Sequence, residues 1–244
     1  MDDDKFKKII ESCHLNFLIG SGASRNFFDT LGNVENLLTE LTKLPSSDER
    51  DLVEASIKND YFNKGIKGNI ELLNEANSEE EFLKTKFNYH GFLTAINVIL
   101  LRRRSTLIGK QANLFTTNMD LFLDKSLEEL NLEYNDGFSG KLNPTFSTSN
   151  YRKSIFQKSP HYENKAELPL FNLFKLHGSV TWATSGDKIV FDKNLNILKR
   201  IQNAKLGGKL IGGYSKSGHL FLYKVATFIS LKWPVDFALK CAVG

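Results

Sequence analysis

The sequence predicts an α/β fold: a Rossmann-like parallel sheet with a helical insert or layer and no zinc module. Three observations carry that expectation. Short apolar runs at Leu15–Ile19, Ala112–Thr116 and Leu168–Leu176 each stop abruptly at small or polar residues, as strands of a parallel sheet do. The stretch between the first two has the spacing of helices rather than strand alternation. Around residues 112–134 the order strand, loop, helix, strand gives the βαβ rhythm of a parallel sheet. A chain of 244 residues can bury a sizeable core, and we read 1–244 as one domain.

The elements follow in order. Phe6, Ile9 and Ile10 share one helical face behind Asp2–Asp4, carboxylates that suit a helix N-terminus, so residues 2–14 read as a short amphipathic helix. Leu15–Ile19, interrupted only by Asn16, reads as a buried strand ending at Gly20. The helical insert runs from about 34 to 110. Leu37, Leu38 and Leu41 mark one segment, and Phe82, Phe87, Phe92, Ile96, Ile99 and Leu100 another. Pro45, Ser46-Ser47 and Gly65–Gly68 divide it, and Asn77-Ser78 with Glu81 resembles a capping box. Ala112–Thr116 is the second strand, followed by a helix from about Asp120 to Leu130 and a short strand at Leu132–Tyr134. Residues 135–166, rich in Asn, Ser, Lys and Tyr, read as a long surface loop that could cover a site. Leu168–Leu176 is the next strand. Val180–Trp182 and Lys188–Phe191 read as short strands joined through Ser185-Gly186-Asp187. In residues 192–244 only the Gly207-Gly208 and Gly212-Gly213 turns around Lys209–Ile211 stand out, and the aromatic segment beyond has neither period. There is no internal repeat.

Composition narrows the class. Hydrophobic residues at 41% and charged residues at 25% are ordinary for a globular chain, and a formal net charge of +4 gives no argument for nucleic acid as partner. Cys13 and Cys241 lie at opposite ends, which excludes a disulfide framework and a four-cysteine zinc module. The acidic start lacks the form of a secretory signal, and Leu220–Leu239 is interrupted by Lys224, Lys232, Pro234 and Asp236, so no membrane span is expected. A cytoplasmic setting is the natural expectation. Arg102-Arg103-Arg104 reads as a solvated helix end complementing the helix dipole.

Three loops that follow apolar strands are the candidate site, because ligands of parallel sheets bind beyond the carboxyl ends of the strands. Gly20-Ser21-Gly22-Ala23-Ser24 offers small residues and free amides to a pyrophosphate, although small residues suit any tight strand-to-helix turn. Arg25 breaks the dinucleotide pattern Gly-x-Gly-x-x-Gly, and no acidic strand end follows about twenty residues on, which disfavours an ordinary dehydrogenase. Thr117-Asn118-Met119-Asp120 offers an amide and a carboxylate ahead of a helix. Helix capping is the competing reading for Asp120, and packing for Met119. His177-Gly178 places an imidazole, able to act as a base near neutral pH, at a strand end, where it could equally be structural. His14, His90, His161 and His219 have no partner at ligand-like spacing, so no metal site is expected.

As a set, and in this order, the loops resemble the sirtuin, or silent-information-regulator, family. Gly20, Gly22 and Ser24 match its Gly-Ala-Gly-x-Ser loop with Ser21 in place of alanine. Asn118 and Asp120 match its Asn-x-Asp motif, and His177 with Gly178 its His-Gly pair. The phrases Thr-Asn-x-Asp and Lys-Leu-His-Gly-Ser are similar to those of bacterial members, many of which look like NAD-depleting effectors of antiphage defence. The resemblance implies NAD as substrate, held by Gly20, Ser21, Gly22, Ala23, Ser24 and Asp120. Asn118 would orient a water and His177 would act as base. It also implies control by a homo-oligomer, a defence-system partner protein or a phage trigger. The family's deacylases carry a zinc module after the His-Gly pair. Here no cysteine lies between Cys13 and Cys241, which shifts the expectation from deacylation to hydrolysis. A protein deacylase or ADP-ribosyltransferase, and a non-catalytic NAD- or ADP-ribose-binding scaffold, are the alternatives. Gly213-Tyr214-Ser215 with His219 resembles a late family motif in compressed form, as though the C-terminal part were truncated.

Overall fold

The computed structural model describes residues 2–28, 34–74, 79–104, 108–161 and 163–207. The Asn77-Ser78 cap, the turns and strand at 208–213 and the late Gly-Tyr-Ser motif lie outside the described residues.

In chain order the helices and strands are α1 (Asp3–Ser12), β1 (Leu15–Ile19), α2 (Val34–Thr42), α3 (Asp48–Tyr61), α4 (Gly68–Asn74), α5 (Glu80–Arg102), β2 (Gln111–Thr116), α6 (Phe122–Glu129), β3 (Tyr134–Asn135), β4 (Phe138–Ser139), β5 (Thr145–Phe146), β6 (Phe156–Lys158), β7 (Lys165–Glu167), β8 (Leu170–Lys175), β9 (Trp182–Ser185), β10 (Lys188–Phe191) and α7 (Asn196–Gly207). The local chemistry of the ends is legible. Asp2 caps α1 by accepting from the Asp4 amide, and Ser47 caps α3 by accepting from the Arg50 amide at 3.2 Å. Gly65 lies in a short π-helical segment, Phe62–Ile66, that joins α3 to α4.

The fold is α/β and Rossmann-like. Its main sheet is parallel with strand order β1-β2-β8-β3. Residues two apart on a strand share a face, so register assigns the two faces. Leu15, Phe17 and Ile19 of β1, Ala112, Leu114 and Thr116 of β2, and Phe171, Leu173 and Lys175 of β8 face the helical layer. Against them pack Leu93, Ile96 and Leu100 of α5 and Phe122, Leu123 and Leu127 of α6, with Phe62, Ile66 and Leu72 from the insert. Phe122 is the hub: it is stacked on Tyr89 at 5.5 Å and ringed by Phe27, Phe28 and Phe82. On the other face an amide row crosses the sheet. The Asn113 amide donates to Asn16 at 2.7 Å, and the Asn172 amide to Asn113 at 3.0 Å.

Three expectations are corrected. Leu15–Ile19 is not buried on both faces. Among the described residues it is one of the sheet's two edge strands, with Asn16 and Leu18 turned out. Residues 135–166 are not a structureless loop. They contain the β6–β7 hairpin and, in β4 and β5, half of an antiparallel sheet of order β4-β5-β10-β9, knitted by Phe138, Phe146, Trp182 and Phe191. The strands are two or three residues long, too short for alternation to show in sequence. Arg103 is not a solvated helix end either. It is buried, and its Nη2 donates to the carbonyls of Ile10 at 2.7 Å and Cys13 at 2.6 Å, closing the C-terminal end of α1. Among the described residues no helix is long and apolar enough to cross a membrane.

Candidate functional site

Register alone brings the three loops together. Ile19 pairs with Thr116, and Thr116 with Lys175, so three adjacent strands end on one line. The next residues, Gly20, Thr117 and Leu176, leave the sheet side by side. Hydrogen bonds continue past the strands: the Thr117 amide donates to the Ile19 carbonyl at 3.2 Å and the Leu176 amide to the Thr116 carbonyl at 2.8 Å. Between the loops is a cleft with about 470 Å³ of atom-free space, part of it open to solvent. Ser21, Ser24, Asn118, Asp120 and His177 line it, with Thr117 and Met119 from the second loop and Phe28, Tyr61 and Gly65 from the helical side. Gly20 reaches the constellation through its carbonyl, while Gly22 and Ala23 complete the turn.

The first loop is a single turn of 3-10 helix, Ser21–Ala23, with the Ala23 amide bonded to the Gly20 carbonyl and the Ser24 amide to the Ser21 carbonyl, both at 3.1 Å. The amides of Ser21 and Gly22 open that turn and so have no partner within it. A Cβ added at Gly20 or Gly22 would meet nothing within 4 Å, and neither glycine has a positive φ. The fold itself therefore has no use for glycine there, although glycine costs about 0.5–1 kcal/mol relative to alanine in regular structure. Both leave the backbone of the turn bare, with open space beside it.

Ser24, at 1% exposure, organises the polar floor. Its Oγ lies 2.8 Å from the Tyr89 hydroxyl and 3.3 Å from Asn118 Nδ2, and it also bonds the Asp120 carboxyl. A hydroxyl has one proton and two lone pairs. With its proton on the carboxylate, Ser24 accepts from Tyr89 and Asn118. Burial and then the Asp120 charge push the Tyr89 phenol far up, so it remains a donor. Burial, with Glu35 and Asp120 adding to it, pushes Tyr61 up to about 12.

Asn118 is held from two sides. Its backbone amide donates to Thr116 Oγ1 at 3.0 Å, and Nδ2 donates to the Gly20 carbonyl at 3.1 Å as well as to Ser24. A carbonyl only accepts, so the amide cannot be turned over. Its Oδ1 is then sealed from bulk water with no partner among the described residues. Buried acceptors are almost always paired; an unpaired one sealed in the wall of a cleft becomes usable by a ligand hydroxyl or a water when the wall shifts to admit it.

Asp120 lines the cleft, and its Oδ1 accepts from the Phe122 amide at 3.1 Å; the N-cap position of α6 itself is taken by Leu121, which makes no side-chain cap bond. Burial raises its pKa, against lowering by Lys175, the Ser24 hydroxyl and the Phe122 amide, while Asp124 adds to the rise. A carboxyl that holds its proton more tightly when folded binds more protons in the folded state as pH rises from its ordinary value of 3.8 through the raised one. Its contribution to stability is lost across that window and stays lost above it. Asp120→Asn removes the penalty. Thermal unfolding of both proteins from acid to neutral pH is expected to show the difference growing in the variant's favour as pH rises. A pH-independent difference would contradict the assignment.

Lys175 sits beneath this floor on the core face of β8, its side chain 3% exposed. Its Nζ donates to the Asp120 carbonyl and pairs with Asp124 Oδ2 at 2.6 Å. From the helical side Asn69, fully buried, donates to the Ile66 carbonyl at 2.9 Å and accepts from the Leu121 amide at 3.0 Å. These two side chains fix where the second loop turns. His177 has an exposed side chain at the mouth of the cleft, followed by Gly178 at φ +80, a left-handed residue that turns the chain away from β8.

All the sequence-predicted residues are thus brought to one end of the sheet. Tyr61, Tyr89 and Lys175 were not foreseen. Only Lys175 left a signal, as a charged residue in step with Phe171 and Leu173 on an inward strand face. Among the described residues no group of acidic, histidine or cysteine side chains could hold a metal ion. No family model matches this chain, and a search of curated proteins gives no match.

Proposed function

We propose that the cleft binds NAD and hydrolyses the bond between nicotinamide and ribose, releasing nicotinamide and ADP-ribose. The observation that carries this reading is the fixed, unpaired Asn118 Oδ1 in a cleft where a bare glycine turn, a buried carboxyl and an imidazole converge. In this reading the Gly20–Ser24 turn receives the pyrophosphate with its free amides. Asp120 lies by the nicotinamide ribose, where a carboxylate favours the positive charge that develops as the glycosidic bond lengthens. Asn118 Oδ1 accepts one proton of a water and aims its oxygen at the anomeric carbon. His177 takes the other proton as the new C–O bond forms. The electron pair of the broken bond returns to the pyridinium nitrogen, so nicotinamide leaves neutral without an acid, and one proton is released per NAD consumed. Unregulated turnover would drain a cell of NAD. Use against phage, under the control of a trigger, a partner or self-assembly, belongs to the same proposal.

The test is nicotinamide release by the folded chain with NAD, compared with Gly22→Ala. The wild type is expected to release nicotinamide whether or not acylated peptide is present. A strict requirement for acyl peptide would assign deacylation, and binding without release in any state of assembly would sink hydrolysis. Because the added methyl meets open space, Gly22→Ala should leave stability unchanged or raise it by about 0.4–1 kcal/mol. It should weaken NAD binding about tenfold or more, equivalent to about 1.4 kcal/mol. A variant that binds NAD as tightly as wild type would show that no ligand approaches the turn.

A further inference from the structure

The outward face of α5 carries an apolar stripe that none of the described residues covers. Leu83, Phe87, Val98 and Leu101 are 52%, 75%, 40% and 52% exposed, and Gly91 and Thr94 lie exposed between them. At about 100° per residue these six positions fall within an arc of about 80°, opposite the buried face of Phe82, Tyr89, Leu93, Ile96 and Leu100. The helix has 23 residues, so the stripe is about 30 Å long. Scattered exposed leucines need no explanation, but an aligned row along one helix does. Gly91, at the middle, would meet nothing within 4 Å if it carried a Cβ, although glycine in a helix interior costs about 1 kcal/mol relative to alanine. Nothing among the described residues requires glycine there, and a second helix crossing closely at that point would.

From this face we infer that the chain forms a two-fold dimer through α5 packed antiparallel against α5 of a second copy. The stripe is its own complement. Reversed and laid on itself it sets Leu83 opposite Leu101, Phe87 opposite Val98 and Gly91 opposite Thr94, which is the reciprocal pairing an isologous interface demands. Charge selects the direction. Exposed Glu80 and Glu81 begin the helix, and exposed Arg102 and Arg104 lie at its end. The antiparallel arrangement brings acidic start to basic end twice and opposes the helix dipoles; the parallel one stacks like on like. The dimer rests on α5 alone and does not depend on what the cleft binds. It would brace the helix whose Tyr89 holds Ser24.

Sedimentation equilibrium without NAD tests it. The wild type is expected to be a dimer at micromolar concentration. Phe87→Glu should raise the dissociation constant by at least about thirtyfold with an unchanged circular dichroism spectrum. Glu80→Arg with Glu81→Arg should also dissociate the dimer, and adding Arg102→Glu with Arg104→Glu should restore it. A monomeric wild type would overturn the proposal and give the stripe to a different partner. So would a dimer indifferent to Phe87→Glu, or one whose charge reversal is not rescued. Because NAD takes no part, failure here and failure of the hydrolase reading are separate results.

Discussion

Replacing Asn118 by alanine is expected to lower nicotinamide release about 10²–10³-fold, the usual loss when a preorganised polar contact to the reacting centre is removed. The fold should survive. The Gly20 carbonyl and Ser24 Oγ lose one donor each, a cost of about 1–3 kcal/mol, but Ser24 keeps Tyr89 and the Thr116 bonds that tie β1 to β2 do not involve the amide. If Asn118 acts in positioning water, the deficit lies in kcat with the apparent affinity for NAD little changed. A deficit confined to KM would demote Asn118 to a binding residue, and full activity would remove it from the mechanism. The measurement is steady-state release of nicotinamide, alongside urea unfolding to show that the cleft is still formed.

The largest effect on stability is expected at Lys175. Lys175→Met keeps much of the volume but leaves Asp124 unpaired and the Asp120 carbonyl without its donor. Removing one partner of a buried ion pair costs about 3–5 kcal/mol. Because the Asp124 side chain retains 20% exposure and water can take over part of the lost solvation, we expect the lower end, about 3 kcal/mol, read as a lower urea midpoint at unchanged slope. A second consequence separates this role from mere packing. The ammonium is the leading influence that lowers the Asp120 pKa, so without it that carboxyl takes up its proton at still higher pH. Any activity that needs ionised Asp120 should then have its acid limb displaced upward in the variant. A loss of stability with an unmoved pH profile would leave Lys175 as an anchor only.

The strand ends and the loops after them were legible because abrupt apolar stops are local, and parallel register then does the assembling without further information. Gly20–Ser24, Asn118–Asp120 and His177 could be placed together from sequence for that reason. What could not be read depends on contacts between segments far apart in the chain. Tyr89 looks like any aromatic on a buried helix face until Ser24, sixty-five positions away, is found against it. Arg103 looks like one of three surface arginines until the C-terminal end of α1 is brought to it. Nor does an apolar run distinguish an edge strand from a central one, which is why the exposure of Leu18 was missed. Phe87 was counted toward the core by its period. At 100° per residue it falls opposite the buried face of Phe82, Tyr89, Leu93, Ile96 and Leu100, and it points outward.

The alignment of Ile19, Thr116 and Lys175 makes this cleft tolerant of one kind of genetic change and intolerant of another. Exchanging residues on the outer sheet face leaves the strand ends where they are. Inserting or deleting a single residue in β1, β2 or β8 shifts one loop by about 3.3 Å and swaps that strand's inward and outward side chains. It would lift Asn118 away from the Gly20 carbonyl, or turn Lys175 out of the core. Lineages carrying this architecture should therefore vary in length between the strands and within the helical insert, while the strands themselves keep their count.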